Sequence, residues 1–219
     1  MVKRKIAFTG NARFALQALA IVVALALLAI PIIVVATSGS FSVSATYTSL
    51  RILALMAFTL IFISILTGSF RPFFNRIFKP ASAQQIHVAI ALAGFALALS
   101  HGSLVLVFGL AGYNAFIVSI GPTVLALLVL TMLIAFYRRR LKNSWRWIHR
   151  INYLIFGAVF AHGLMLGFDF KRGAFLKILF GIYAGIVVAG LIYRYMTLRS
   201  LKVAAANRAN ARAQAQVEQ

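Results

Sequence analysis

The sequence predicts an all-α integral membrane protein, a bundle of six transmembrane helices with both termini in the cytoplasm. Three observations predict it. Of 219 residues, 63% are hydrophobic and only 11% charged, whereas a globular domain carries about 25% charged residues. Apolar runs of about 20 residues recur, each long enough to cross a hydrocarbon core of ~30 Å as a helix. Helices are required because an open sheet edge cannot satisfy its backbone in lipid. Finally, the 22 Lys and Arg, set against 2 Asp and Glu, flank these runs and form no polar domain of their own.

The six spans fall at 14–37, 46–68, 83–110, 114–136, 146–167 and 173–196. The first follows Lys3, Arg4, Lys5 and Arg13, and its apolar stretch exceeds the roughly 7–15 residues of a signal peptide, so a retained anchor is expected. Pro31 is expected to kink it. Arg51, near the outer end of the second span, is expected to snorkel to the interface. Arg71, Arg76 and Lys79 follow the second span, and Arg138, Arg139, Arg140, Lys142 and Arg146 follow the fourth, while residues 38–45 and 111–114 carry no charge. The positive-inside rule therefore places residues 1–13 and 198–219 in the cytoplasm, on either side of a membrane domain at 14–197. The outer loop with Asp169, Lys171 and Arg172, and Lys177 just beyond it, is a mild exception. After Arg199 the chain turns to Ala, Asn, Arg and Gln, a mobile or surface-lying tail with high helix propensity. The placement suits a multi-pass protein of a bacterial inner membrane.

Absences narrow the chemistry. The chain has no cysteine, which excludes disulfides, thiolate nucleophiles, cysteine-ligated clusters and c-type haem attachment. Its acids, Asp169 in a short loop and Glu218 near the C-terminus, cannot form a paired-carboxylate site. No glycine-rich βα unit for a nicotinamide or flavin is present. The net charge of +20 reads as topology signals and lipid contacts, with no nucleic-acid partner, because no aromatic-interleaved basic surface accompanies it.

The four histidines lie in two spans, His87 and His101 in the third and His149 and His162 in the fifth. Histidine is costly in lipid and tends to face a bundle interior. His87 and His101 are 14 residues apart, a rise of ~21 Å and close to four turns, so they share a stripe with one near each membrane face. His149 and His162 are 13 apart, a rise of ~20 Å. The two spans run in the same direction, so His87 levels with His149 and His101 with His162. Two levelled imidazole pairs suit two b-type haems stacked across the bilayer. Thirteen residues fall short of four turns by more than about 100°, which an irregular first turn at His149 would absorb. If only one haem is held, the outer pair is the first choice for that reason. Gly102 and Gly163 leave room for a ring edge, although close helix packing explains them equally well. Arg71, Arg76, Lys79, Arg146 and Arg150 are available to haem propionates, with Arg71 and Arg150 chosen first, and each reads at least as well as a topology determinant or lipid-phosphate contact.

The paired spacing in a six-span bundle resembles the ferric reductase-like transmembrane domain, a family that includes NADPH oxidases, ferric-chelate reductases and the haem-binding membrane subunit of the bacterial methionine sulfoxide reductase system. The segment from Trp145 through His149, Arg150, Tyr153, His162 and Gly163 carries the closest likeness, and the resemblance covers about residues 46–196. It implies haem ligands at His87, His101, His149 and His162, with electrons entering at the inner haem and leaving through the outer one. It also implies an oxidoreductase component. Because no flavin and NADPH domain follows Arg199, the expected donor is a separate cytoplasmic flavoprotein or a quinone. The expected acceptor is periplasmic or extracellular.

Three other readings compete. A haem-free transporter or scaffold would use the histidines as hydrogen-bonding groups between helices. A haem sensor or carrier would keep the ligands without electron throughput. An intramembrane hydrolase would use Ser100 or Ser103, but lacks a glycine-flanked nucleophile and an orienting acid.

Overall fold

A computed structural model describes residues 10–38, 44–108 and 115–217. Lys3, Arg4, Lys5, Glu218 and the loop at 111–114 lie outside the described residues. Among those described, every regular element is a helix, and nine are formed: α1 (Gly10–Ala36), α2 (Ala45–Ser69), α3 (Arg71–Ile77), α4 (Pro80–Phe108), α5 (Ala115–Phe136), α6 (Trp145–His149), α7 (Ile151–Leu166), α8 (Phe168–Arg172) and α9 (Ala174–Val217). Five helices, α1, α2, α4, α5 and α9, are long and apolar enough to cross a membrane. The protein is therefore a multi-pass, all-helical membrane protein.

The stretch expected as one span at 146–167 differs. It divides into α6 and α7 at Arg150, and α7 has only 16 residues, a rise of ~24 Å against a core of ~30 Å. At the other end of α7, Gly167 takes an extended conformation and the chain re-enters a helix as α8.

Helix α2 is the central element, with 61% of its apolar window buried, against 6% for α4 and 11% for α1. Its inward stripe meets α7 and α9 through stacked rings. Phe62 lies 4.0 Å from Tyr183, while Phe58 lies 4.6 Å from Phe156 and 4.7 Å from Phe180. The outward faces of α4, α5 and α9 expose Leu106, Phe116, Phe136 and Ile178. Such a surface would drive association in water and is at home in lipid.

Close approach of α4 to α2 depends on Gly94, where a Cβ would sit 3.1 Å from Leu60 Cβ. Gly94→Val is expected to cost about 1–3 kcal/mol by overpacking. Gly181→Val, at a position with open space around it, serves as the control. Thermal unfolding in detergent reads the difference, and equal melting temperatures for the two variants would refute the packing argument.

The helices share two ends. At one, Arg13 Nε and Gln17 Nε2 each donate to the Ile77 carbonyl at 2.7 Å, tying the start of α1 to the end of α3. At the other, Arg51 departs from its expected snorkelling: it is buried and ion-paired with Asp169. Its Nε donates to Asp169 Oδ2 at 2.9 Å, a terminal nitrogen donates to Asp169 Oδ1, and the same nitrogen reaches Ser38 Oγ at 2.9 Å. The guanidinium also lies 5.2 Å from the Phe168 ring centre. Asp169 belongs to the first turn of α8, where the sequence suggested a loop. Helix α1 runs on through Pro31, whose ring is buried. The polar tail continues α9 as helix to Val217, with its described side chains exposed from Leu198 onward.

Candidate functional site

The four histidines gather in two places. His87, on α4, points its Nδ1 at α2, 3.0 Å from the Ser64 carbonyl and 3.2 Å from Thr67 Oγ1. Gly68 makes this seat, since a Cβ there would meet His87 Cε1 at 3.4 Å. His149 closes α6, and its ring centre lies 6.4 Å from that of His87, with the planes 78° apart. The levelling of this pair read from the spacing matches the geometry.

Local winding brings His149 into place. Around the α6–α7 junction the backbone bonds three residues back, Arg150 N to the Trp147 carbonyl and Tyr153 N to the Arg150 carbonyl, both at 3.1 Å. Such turns advance about 120° per residue where an α-helix advances about 100°. A few tight residues therefore recover part of the phase that a 13-residue spacing lacks, and His149 and His162 can face the bundle together.

Both inner histidines line a cleft that opens at its mouth to the surroundings. Its walls are apolar, including Ile61, Ala91, Leu128 and Met132, and Arg146, Arg150 and Arg194 line it too. Arg150 also stacks over Trp147 at 4.4 Å. Arg71 lies within electrostatic reach of His87 but does not line the cleft. Arg194, on α9, was missed from the sequence. Its signal was a cation inside the last apolar span.

The second pair sits toward the opposite end. His101 Nδ1 lies 3.1 Å from the Leu50 carbonyl of α2. His162, on α7, packs against α5 at Gly121, where a Cβ would stand 3.1 Å from His162 Cε1. Its Nδ1 is buried and forms no hydrogen bond of good geometry. His101 and His162 are close enough for their charges to interact.

Gly102 and Gly163, for which a ring edge and close helix packing were equal readings, lie against side chains of the protein itself. A Cβ at Gly102 would lie 2.8 Å from Leu125 Cδ2, and one at Gly163 would lie 3.2 Å from Phe170. Among the described residues, the glycines that meet imidazoles are Gly68 and Gly121. Ser100 donates to the Ala96 carbonyl of its own helix at 2.9 Å, so the structure gives it no histidine partner.

Among the described residues no three His, Cys, Asp or Glu side chains converge on a possible metal position. For His87 and His101 a carbonyl faces Nδ1, which places the proton there and leaves Nε2 as the donor atom. Comparison with protein-family models, curated proteins and solved structures finds no match for this chain.

Proposed function

We propose that the chain is a transmembrane b-type cytochrome of the ferric reductase-like kind, carrying electrons through bis-histidine haems from a cytoplasmic-side donor to an outer acceptor. The observation that carries the reading is the separation of His87 and His149 across an apolar, arginine-lined cleft. Their ring centres stand 6.4 Å apart, so His87 and His149 are the residues that would hold the iron of a haem at this level. The residues thus suit a haem.

Haem, when bound, supplies a one-electron iron couple. The chain's own residues do the rest. His87 and His149 hold the inner level and His101 and His162 the outer one. Arg146, Arg150 and Arg194 offer cations to anionic carboxylates at the cleft mouth. Ile61, Ala91, Leu128 and Met132 exclude water there.

Six crossings, with both termini in the cytoplasm, accord with this reading. The link from Arg13 to Ile77 and the cleft with His87, His149 and Arg194 mark one end, while the Ser38–Arg51–Asp169 cluster marks the other. In this reading the segment α6–α8 serves as the sixth crossing, although no single helix in it is long enough. Arg138, Arg139, Arg140 and Lys142 lie at the cleft end, in the turn before α6, and Arg199, Lys202 and Arg208 continue α9 beyond it. That basic face suits an acidic soluble donor, a flavoprotein, or the headgroups around a quinone. A bacterial inner membrane is the proposed location.

The test is a reduced-minus-oxidised absorption spectrum of the purified protein in detergent, with haem and protein quantified together. Sharp low-spin b-type bands with nearly two haems per chain are expected. A colourless protein after expression with ample haem would sink the proposal in favour of the haem-free transporter or scaffold.

A further inference from the structure

His149 is anchored differently from the other inner histidine. His87 Nδ1 faces a backbone carbonyl at 3.0 Å, which can only accept. His149 Nδ1 instead lies 3.1 Å from the side-chain amide of Asn152, one turn further on. The other amide atom lies 3.0 Å from Thr131 Oγ1 of α5, and that hydroxyl is also 3.0 Å from the Leu128 carbonyl.

The two amide atoms exchange places by a half-turn, so the hydrogen-bond network must decide between them. With the amide oxygen toward Thr131, one hydroxyl proton faces two acceptors, and an oxygen–oxygen contact is left in a buried place, since Thr131 is only 2% exposed. With the amide turned over, no proton is shared between two acceptors and no oxygen faces an oxygen without a proton between them. His149 Nδ1–H donates to Asn152 Oδ1, Asn152 Nδ2–H donates to Thr131 Oγ1, and the Thr131 hydroxyl donates to the Leu128 carbonyl.

We infer that Asn152, braced by Thr131, is a positioning residue that keeps the proton on His149 Nδ1 and leaves Nε2 as the ligand atom. The inference rests on the haem reading above. Partners of this kind orient a ligating histidine and tune its basicity. The relay crosses from α7 to α5, so it also fixes the ring at the α6–α7 junction, where the backbone alone leaves it least constrained.

The experiment uses the full chain in detergent, with the inner haem read alone in a His162→Ala background and haem content, spectrum and midpoint potential measured. Asn152→Leu removes the acceptor and is expected to weaken inner-haem affinity by roughly 10- to 100-fold. Asn152→Asp keeps an acceptor toward Nδ1 and makes it anionic, so haem should be retained with a lower midpoint potential, because a more basic imidazole favours ferric iron. A merely structural role would not move the potential in that direction. Unchanged haem affinity in Asn152→Leu, or loss of haem in Asn152→Asp, would overturn the inference while the haem reading stands. A parent protein that binds no haem would overturn both.

Discussion

His162→Ala is expected to remove the outer haem and spare the inner one, and His101→Ala is expected to do the same. In a parent with two haems, the haem-to-protein ratio should fall by about half, and the remaining low-spin signal should keep its potential, because both ligands of the inner level are intact. His87→Ala and His149→Ala should show the reverse. The proposed pairing makes this specific: His87 and His149 stand 6.4 Å apart at one level, and His101 and His162 are assigned to the other. Retention of both haems in either outer variant would refute the ligand assignment.

The second large effect belongs to the buried ion pair. Arg51 and Asp169 side chains are 6% and 7% exposed, and removing one partner of such a pair typically costs about 3–5 kcal/mol, because the other charge stays buried. The two single variants should differ. Asp169→Ala strands a guanidinium that cannot give up its proton, whereas Arg51→Ala strands a carboxylate that can take one up and become neutral. Asp169→Ala is therefore the more damaging of the two. Replacing both at once with Arg51→Met and Asp169→Leu should recover most of the loss, since an apolar pair carries no desolvation penalty. Unfolding in detergent measures all three variants. Single losses below about 1 kcal/mol would place the pair with exposed surface bridges.

Composition and hydropathy were enough to read the class of fold, because the bilayer imposes length and polarity on a helix whatever its neighbours are. The nearness of His87 to His149 was legible for a related reason: rise per residue converts sequence spacing directly into position along parallel helices. What escaped the sequence depends on packing between distant segments. Arg51 looked like a residue free to reach the interface, and only the fold brings Asp169 to it from 118 residues away. Gly68 and Gly121 could not be told from other small residues until imidazoles were found against them. Asn152 was within reach, since a polar side chain three residues after His149 shares its helix face. Thr131 was not, because its relation to Asn152 exists only where α5 crosses α7. The break at Arg150 was invisible in a hydropathy profile, because the departure lies in three-residue backbone bonding, which side-chain polarity does not record.

The vertical spacing along α4 has an electrical consequence. His87 and His101 are separated by 14 residues, about 21 Å of rise and roughly two-thirds of a hydrocarbon layer of about 30 Å. In the proposed cytochrome, an electron passed from one level to the other would therefore move through most of the membrane field. At an inside-negative potential of about 100 mV, where a full crossing is worth about 2.3 kcal/mol per charge, this partial crossing releases about 1.5 kcal/mol in the outward direction. Outward electron flow would thus draw down the voltage of an energised membrane, and its rate would answer to that voltage as well as to the potentials of donor and acceptor.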